Sequence, residues 1–332
     1  MLQKYIIITV NVILFCFQVA PVQATDNDFN QAYVKGISEA YGFILGQEYS
    51  LDRIVRKFPD LASSAKVAKA KFNASFPGIK TKIKDQLIKT LGKQIYEKID
   101  LGLKRKMKEN LGGEVLTKEI AYNFIQEVGE RAEGRIDSPI IEYILSVKYH
   151  QNPASELIDG YEQRFSSEGH AKSEGVKLKL RLPKSWKAKE GERPHIVQKW
   201  VSKNGTGTEM ILLDIRDNEG YTPTGSEIKS FVNSGEVKGV IPNGGKHIDS
   251  GVFSLEMQEG YWVEISFVQE RAGIAVYQRY IMHQLFFRGK AIGLMCSAST
   301  TTDEKAKADE AFKRIKPLCQ QVLNSLVLLQ AY

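Results

Sequence analysis

Chemistry in this chain would have to come from five histidines, three cysteines and a scatter of carboxylates, and spacing is the first test of each. His150, His170, His195, His247 and His283 contain no HxH or HxxxH pair, the usual nucleus of a metal site. His247 and Asp249 stand two apart in "HIDSGVFSL", so strand alternation places them on one face. Two polar groups there describe a wet strand end, not a site. His283, between Met282 and Leu285, reads as a packed or half-exposed strand residue. No G-x-S-x-G is present. The hydroxyls of "STTTDEK" are ordinary helix-capping chemistry. Cys296 with His283 or His247 would make a thiol–imidazole pair, but a disulfide is the competing use of that thiol. Asn243-Gly244-Gly245-Lys246 can approach a phosphate, yet it lacks GxxxxGK[ST] and reads as a turn. Glu256, Glu259, Glu264 and Glu270 are spread along a strand meander and make no identifiable acid/base pair. Asn73 and Asn204 lie in glycosylation-type tripeptides, which are frequent by chance. No catalytic residue, metal or cofactor is assigned.

The beginning of the chain reads as an export signal over residues 1–24. Lys4 precedes the apolar run "IIITVNVILFCF", and Val22-Gln23-Ala24 sets small residues ahead of a cleavage site at Thr25. The run is too short for a membrane span, which needs roughly 20 apolar residues. Cys16 lacks a lipidation context. Export implies a soluble mature chain, periplasmic or secreted. Cys296 and Cys319 then remain, and in an oxidising compartment the pair reads as one disulfide. Two separate core thiols are the plain alternative.

The elements that must carry these residues divide into two sets. Residues 25–163 read as an all-α domain. Tyr33, Ile37, Tyr41, Ile44 and Leu45, with Phe29 before them, recur at helical steps. Ser50 reads as the cap of a new helix, "LDRIVRKF", ended by Pro59. Ile79, Ile83, Leu87, Ile88, Leu91 and Ile95 share one stripe. Thr117 and Ser138, the latter before Pro139, open two further helices. Gly36 and Gly46 sit inside the first pattern, which implies close helix packing. Charge is uneven. Arg53 to Lys118 holds 17 Lys/Arg against six Asp/Glu, within a chain of net charge +7. Lys104-Arg105-Lys106 is the densest cluster, a candidate cationic binding surface. Pairing of basic with acidic helices is the bland explanation.

Residues 164–175, rich in Ser, Gly and charge, read as a linker. Residues 176–332 read as a sheet domain. Val176, Leu178, Leu180 and Leu182 alternate with Lys177, Lys179 and Arg181, and Pro183 ends the strand before Trp186. Trp186 is a packing anchor or else an exposed ligand platform. Thr224 caps a short helix. Gly260-Tyr261 and Ala272-Gly273 read as short turns between antiparallel neighbours. Asp303 caps a last helix, in which Pro317 marks a kink or a restart, and Leu318, Val322, Leu323, Leu326 and Val327 form its apolar stripe. The fold class is therefore α+β: an all-α domain, then an antiparallel sheet with covering helices.

From Leu182-Pro183-Lys184-Ser185-Trp186, through the strand meander and "GLMCSAST", to the helix ending "LNSLVL", residues 175–330 resemble the PsbP-like α/β/α sandwich. The resemblance implies a domain that binds partners rather than catalyses, and no family binding residue maps onto this chain. The expectation is an exported, non-catalytic binding or assembly module with an envelope protein as partner. Anionic lipid or cell-wall polymer on the basic helices is a second expectation, and an unrecognised hydrolase of wall or lipid substrates a third. Nucleic acid is excluded by export.

Overall fold

The computed structural model describes residues 27–113, 116–136, 140–271 and 273–332. The proposed leader, the Ser138-Pro139 cap, Ala272 and the side chain of Phe29 lie outside the described residues. The chain divides into two compact units, the first ending at Lys148 and the second beginning at Tyr149.

Among its described residues the first unit has helices and no strand. It comprises α1 (Asn27–Lys57), α2 (Ala62–Ser75), α3 (Ile79–Leu91), α4 (Lys93–Gly113), α5 (Lys118–Ala132) and α6 (Ile141–Lys148). Ile37, Tyr41, Ile44, Leu51 and Ile54 of α1 are buried, so one stripe runs the length of the helix. The helix does not restart at Ser50, because that apolar stripe continues unbroken past it. The Ile79–Ile95 stripe does break. Gly92 adopts φ +83° and closes α3, which leaves Ile95 of α4 exposed. Thr117 caps α5 by accepting the Ile120 N–H.

The second unit starts earlier than a linker at 164–175 allows. After α7 (Ala154–Ile158), strand β1 (Glu162–Ser166) pairs antiparallel with β2 (Leu178–Pro183), and β10 (Val327–Leu328) pairs on the other side of β2. Residues 162–166 thus belong to this unit through backbone hydrogen bonds. The main sheet has seven antiparallel strands in the order β3-β4-β5-β9-β8-β7-β6. These are β3 (Lys187–Glu190), β4 (Ile196–Val201), β5 (Glu209–Asp217), β6 (Lys246–Leu255), β7 (Gln258–Arg271), β8 (Ile274–Phe287) and β9 (Lys290–Thr301). Gly260-Tyr261 lies inside β7, since the hairpin turns at Glu256-Met257, both at positive φ. Helix α8 (Gly225–Asn233) carries the expected Thr224 cap as a full capping box with Glu227. Helix α9 (Lys305–Asn324) has Glu304, not Asp303, at its N-cap position, with no side-chain capping bond, and runs through Pro317.

One face of the sheet packs on α9 and on the small sheet. Leu178, Leu180 and Leu182 of β2, Ile211 and Leu213 of β5, Leu294 and Cys296 of β9, and Phe312, Leu318 and Val322 of α9 share that core. Cys296 and Cys319 form a disulfide inside it, joining β9 to α9. Trp186 is 4% exposed and belongs to the same core. Its corner is fixed by Glu156 of α7, whose carboxylate accepts both the N–H and the Oγ–H of Ser185 at 2.7 and 2.6 Å.

The two helical glycines differ. A Cβ at Gly36 would lie 2.1 Å from the Tyr143 ring of α6, while one at Gly46 would meet only Met107 Sδ, at 3.9 Å. Close packing explains the first and not the second. Gly36→Ala is expected to lower unfolding free energy by about 1–3 kcal/mol. Gly46→Ala should raise it by about 0.5–1 kcal/mol. Urea titration of both variants checks this, and equal signs would contradict the packing described.

Candidate functional site

Strand pairing shows which groups meet. In β6, a bulge separates His247, opposite Ile265, from Asp249, opposite Glu264. Ile265 and Glu264 are consecutive and face opposite ways, so His247 and Asp249 do not share a face. His247 bonds to Ser250 Oγ at 3.1 Å on its own side. His283 stands opposite Trp262 and Leu294, on the α9 side. The residues that a hydrolase reading would gather are thus split between the two faces. Among the described residues no group of three His, Cys, Asp or Glu is placed to hold a metal.

The α9 side holds buried ionic pairs. Glu264 bonds to Arg279 of β8 and to Lys316 of α9, the latter at 2.6 Å. Burial pushes its carboxyl up, but Lys316 and Arg279 outweigh burial and hold it below the usual range. Arg279 also reaches Asp309 at 3.4 Å. Glu209 of β5 accepts the Ser202 hydroxyl at 2.5 Å and lies 3.8 Å from Arg314. These contacts hold α9 on the sheet.

The opposite face is different. Helix α8 and the turn after it cover Tyr261, Val263, Ile265 and Tyr280. Running out from under that cover, cross-strand pairing sets Val263, Met282, Met295 and Leu212 in one continuous row across β7, β8, β9 and β5, and Met282 and Met295 pack against the covered cluster. Met210 stands one step along β5, and Phe286 farther along β8. Met210, Met282, Met295 and Phe286 are half-buried. Three of the six methionines in the chain therefore meet on one strip. Methionine side chains are flexible and polarisable, and they adapt to varied apolar contacts.

A polar row borders the strip. Asp214, Gly293, Gln284 and Tyr261 stand opposite one another across four strands. The Asp214 carboxylate folds over Gly293, where a Cβ would come within 2.4 Å of Oδ2. Burial raises the Asp214 pKa, and Arg216, 3.1 Å away, opposes it. Burial and then Asp214 push Tyr261 up to about 12. Lys199, opposite Leu212, closes the other border and pairs with Glu192 at 2.7 Å. Spacing in the sequence hides this strip, because its members come from four strands whose order in the sheet is not sequential.

Of the residues expected to bind, Lys104 and Arg105 are exposed on α4, and each faces a carboxylate one turn away, Asp100 at 2.7 Å and Glu109 at 3.9 Å. Lys106 is half-buried. Trp186 presents no surface, because it is enclosed by the core described above.

Fold and strip define a two-unit α+β protein whose second unit is a layered antiparallel sandwich with a methionine-lined sheet face. No protein-family model and no curated protein matches the chain. Among solved structures, the chain is similar to cyanobacterial PsbP from Synechocystis, at 16% identity and TM-score 0.30 over 51% of this chain and 92% of that one. It is similar to LpqN of Mycobacterium tuberculosis, a protein involved in cell envelope biogenesis, at 14% and 0.30 over 53% and 96%. It is similar to the Ran-binding protein Mog1p of Saccharomyces cerevisiae at 10% and 0.33 over 51% and 95%. Scores this low carry no argument about family or function.

His283 is 4% exposed, packs edge-on against Phe253 and leaves Nδ1 without a hydrogen bond. Burial lowers its pKa from 6.5 to about 4. Between those values the unfolded chain binds the extra proton, so this contribution to stability is complete above about pH 6.5 and is lost as pH falls towards 4. Wild type should lose about 2–3 kcal/mol more than His283→Phe between pH 7 and 4.5 in denaturant titrations. Equal losses would mean that the imidazole is solvated.

Proposed function

We propose that the protein is an exported, non-catalytic binding module whose sheet unit docks a partner protein on the methionine-lined strip. The strip carries the reading. It is apolar, adaptable and bordered by charged and polar groups, which is the composition of a protein-binding surface. The buried Cys296–Cys319 disulfide supports work in an oxidising compartment, in keeping with the leader read from the sequence. No helix of the described residues is long and apolar enough to cross a membrane.

A photo-crosslinking residue at Met295, irradiated in envelope preparations after a wash at low or at high salt, tests the proposal. One envelope protein should be captured in both washes, because apolar contact is not screened by salt. Met282→Lys should weaken that partner's binding at least about tenfold, the effect expected of a charge set into an apolar interface. Capture of lipid or wall polymer alone, lost at high salt, would overturn the reading and favour the basic helices.

A further inference from the structure

The helical unit has a cavity of about 60 Å³, partly open to solvent, between α1, the end of α2 and the start of α3. Phe72 and Phe76 give it an aromatic wall. Gln47 also lines it and is 4% exposed. Its Oε1 accepts a hydrogen bond from Nη1 of Arg131 at 2.8 Å. A guanidinium only donates, so the amide orientation is settled, and the group left to face the cavity is the NH2. That NH2 has no hydrogen-bond partner among the described residues.

Arg131 puts positive charge directly behind the amide. It is 8% exposed, lies 4.6 Å from the centre of the Phe43 ring, and its Nε makes no hydrogen bond. Burial lowers its pKa, and Glu127 is the opposing influence. The first turn of α3 lines the cavity too, through Gly78, Ile79 and Lys80. Gly78 is the N-cap at φ +64° and supplies no capping side chain. The Ile79 N–H turns back to the Phe76 carbonyl at 3.2 Å, so the turn presents the N–H groups of Lys80 and Thr81 and the positive end of the helix dipole. Lys69 joins Lys80 in the lining. Glu48, the one carboxylate there, is ion-paired to Lys80 at 2.5 Å.

We propose that this cavity binds a short-chain carboxylate. Its anionic head meets the Gln47 NH2 and the α3 N-terminus, and its alkyl end lies against Phe72 and Phe76. The volume suits a small acid such as butyrate and not a whole acyl chain. This site lies in the other unit from the sheet strip, and either can fail without the other.

Calorimetric titration of the purified protein with butyrate and with neutral butyramide tests it. Butyrate should bind saturably and at least about tenfold more tightly than butyramide, as the loss of charged hydrogen bonds requires. Gln47→Leu should weaken butyrate by about tenfold and leave butyramide less affected. Lys80→Gln, at a half-buried position that leaves the core intact, should weaken butyrate and decides the matter if Gln47→Leu does not fold. Absence of saturable binding, equal affinity for butyramide, or unchanged butyrate affinity in the folded variants would each overturn the proposal.

Discussion

Along β9 the side chains alternate between two surroundings, and the layering of the second unit depends on that alternation. Leu294, Cys296 and Ala298 enter the core under α9. Gly293, Met295 and Ser297 turn the other way, since successive strand residues face opposite sides. β9 lies between β5 and β8 in the middle of the sheet, so its register is transmitted to both neighbours. A slip of one residue would bring Met295 under α9 and pull Cys296 away from Cys319.

The charged groups inside this unit follow one rule with one departure. Glu156, Glu209 and Glu264 are buried, and each has donors: Ser185, Ser202 with Arg314, and Arg279 with Lys316. Such pairs tie separate elements together, because removing one partner would strand a charge in the core. Asp214 departs from the rule. It is buried, yet Arg216 is too exposed to offset its desolvation fully. It also lies on the face that carries the methionine strip, where the other three carboxylates do not.

Sequence pattern revealed the strongly periodic elements. The alternation from Val176 to Leu182, the long helical stripe around Ile37 and Ile44, the Thr117 and Thr224 caps and the cysteine pair all appear as read. Each is a local signal whose physics needs no distant partner. Departures occur where a distant contact or a single backbone angle decides. Strand β1 reads as loop because its ladder to β2 carries it, not its own apolar content. One bulge residue reverses the facing of His247 and Asp249. Glu256-Met257 turns a hairpin without the Gly or Asn that would announce it. The methionine strip needs strand order, and Gln47 needs Arg131 from 84 residues away.

The disulfide has a mechanical meaning as well as a thermodynamic one. Without it, a pull along α9 would peel the helix from the sheet, breaking side-chain contacts a few at a time. With Cys319 bonded to Cys296, the load passes into the centre of the sheet. There it must shear β9 from β5 and β8 together, against two full ladders of backbone hydrogen bonds. The bond makes the C-terminal helix a tether that carries force in an oxidising compartment and a detachable one where thiols are kept reduced.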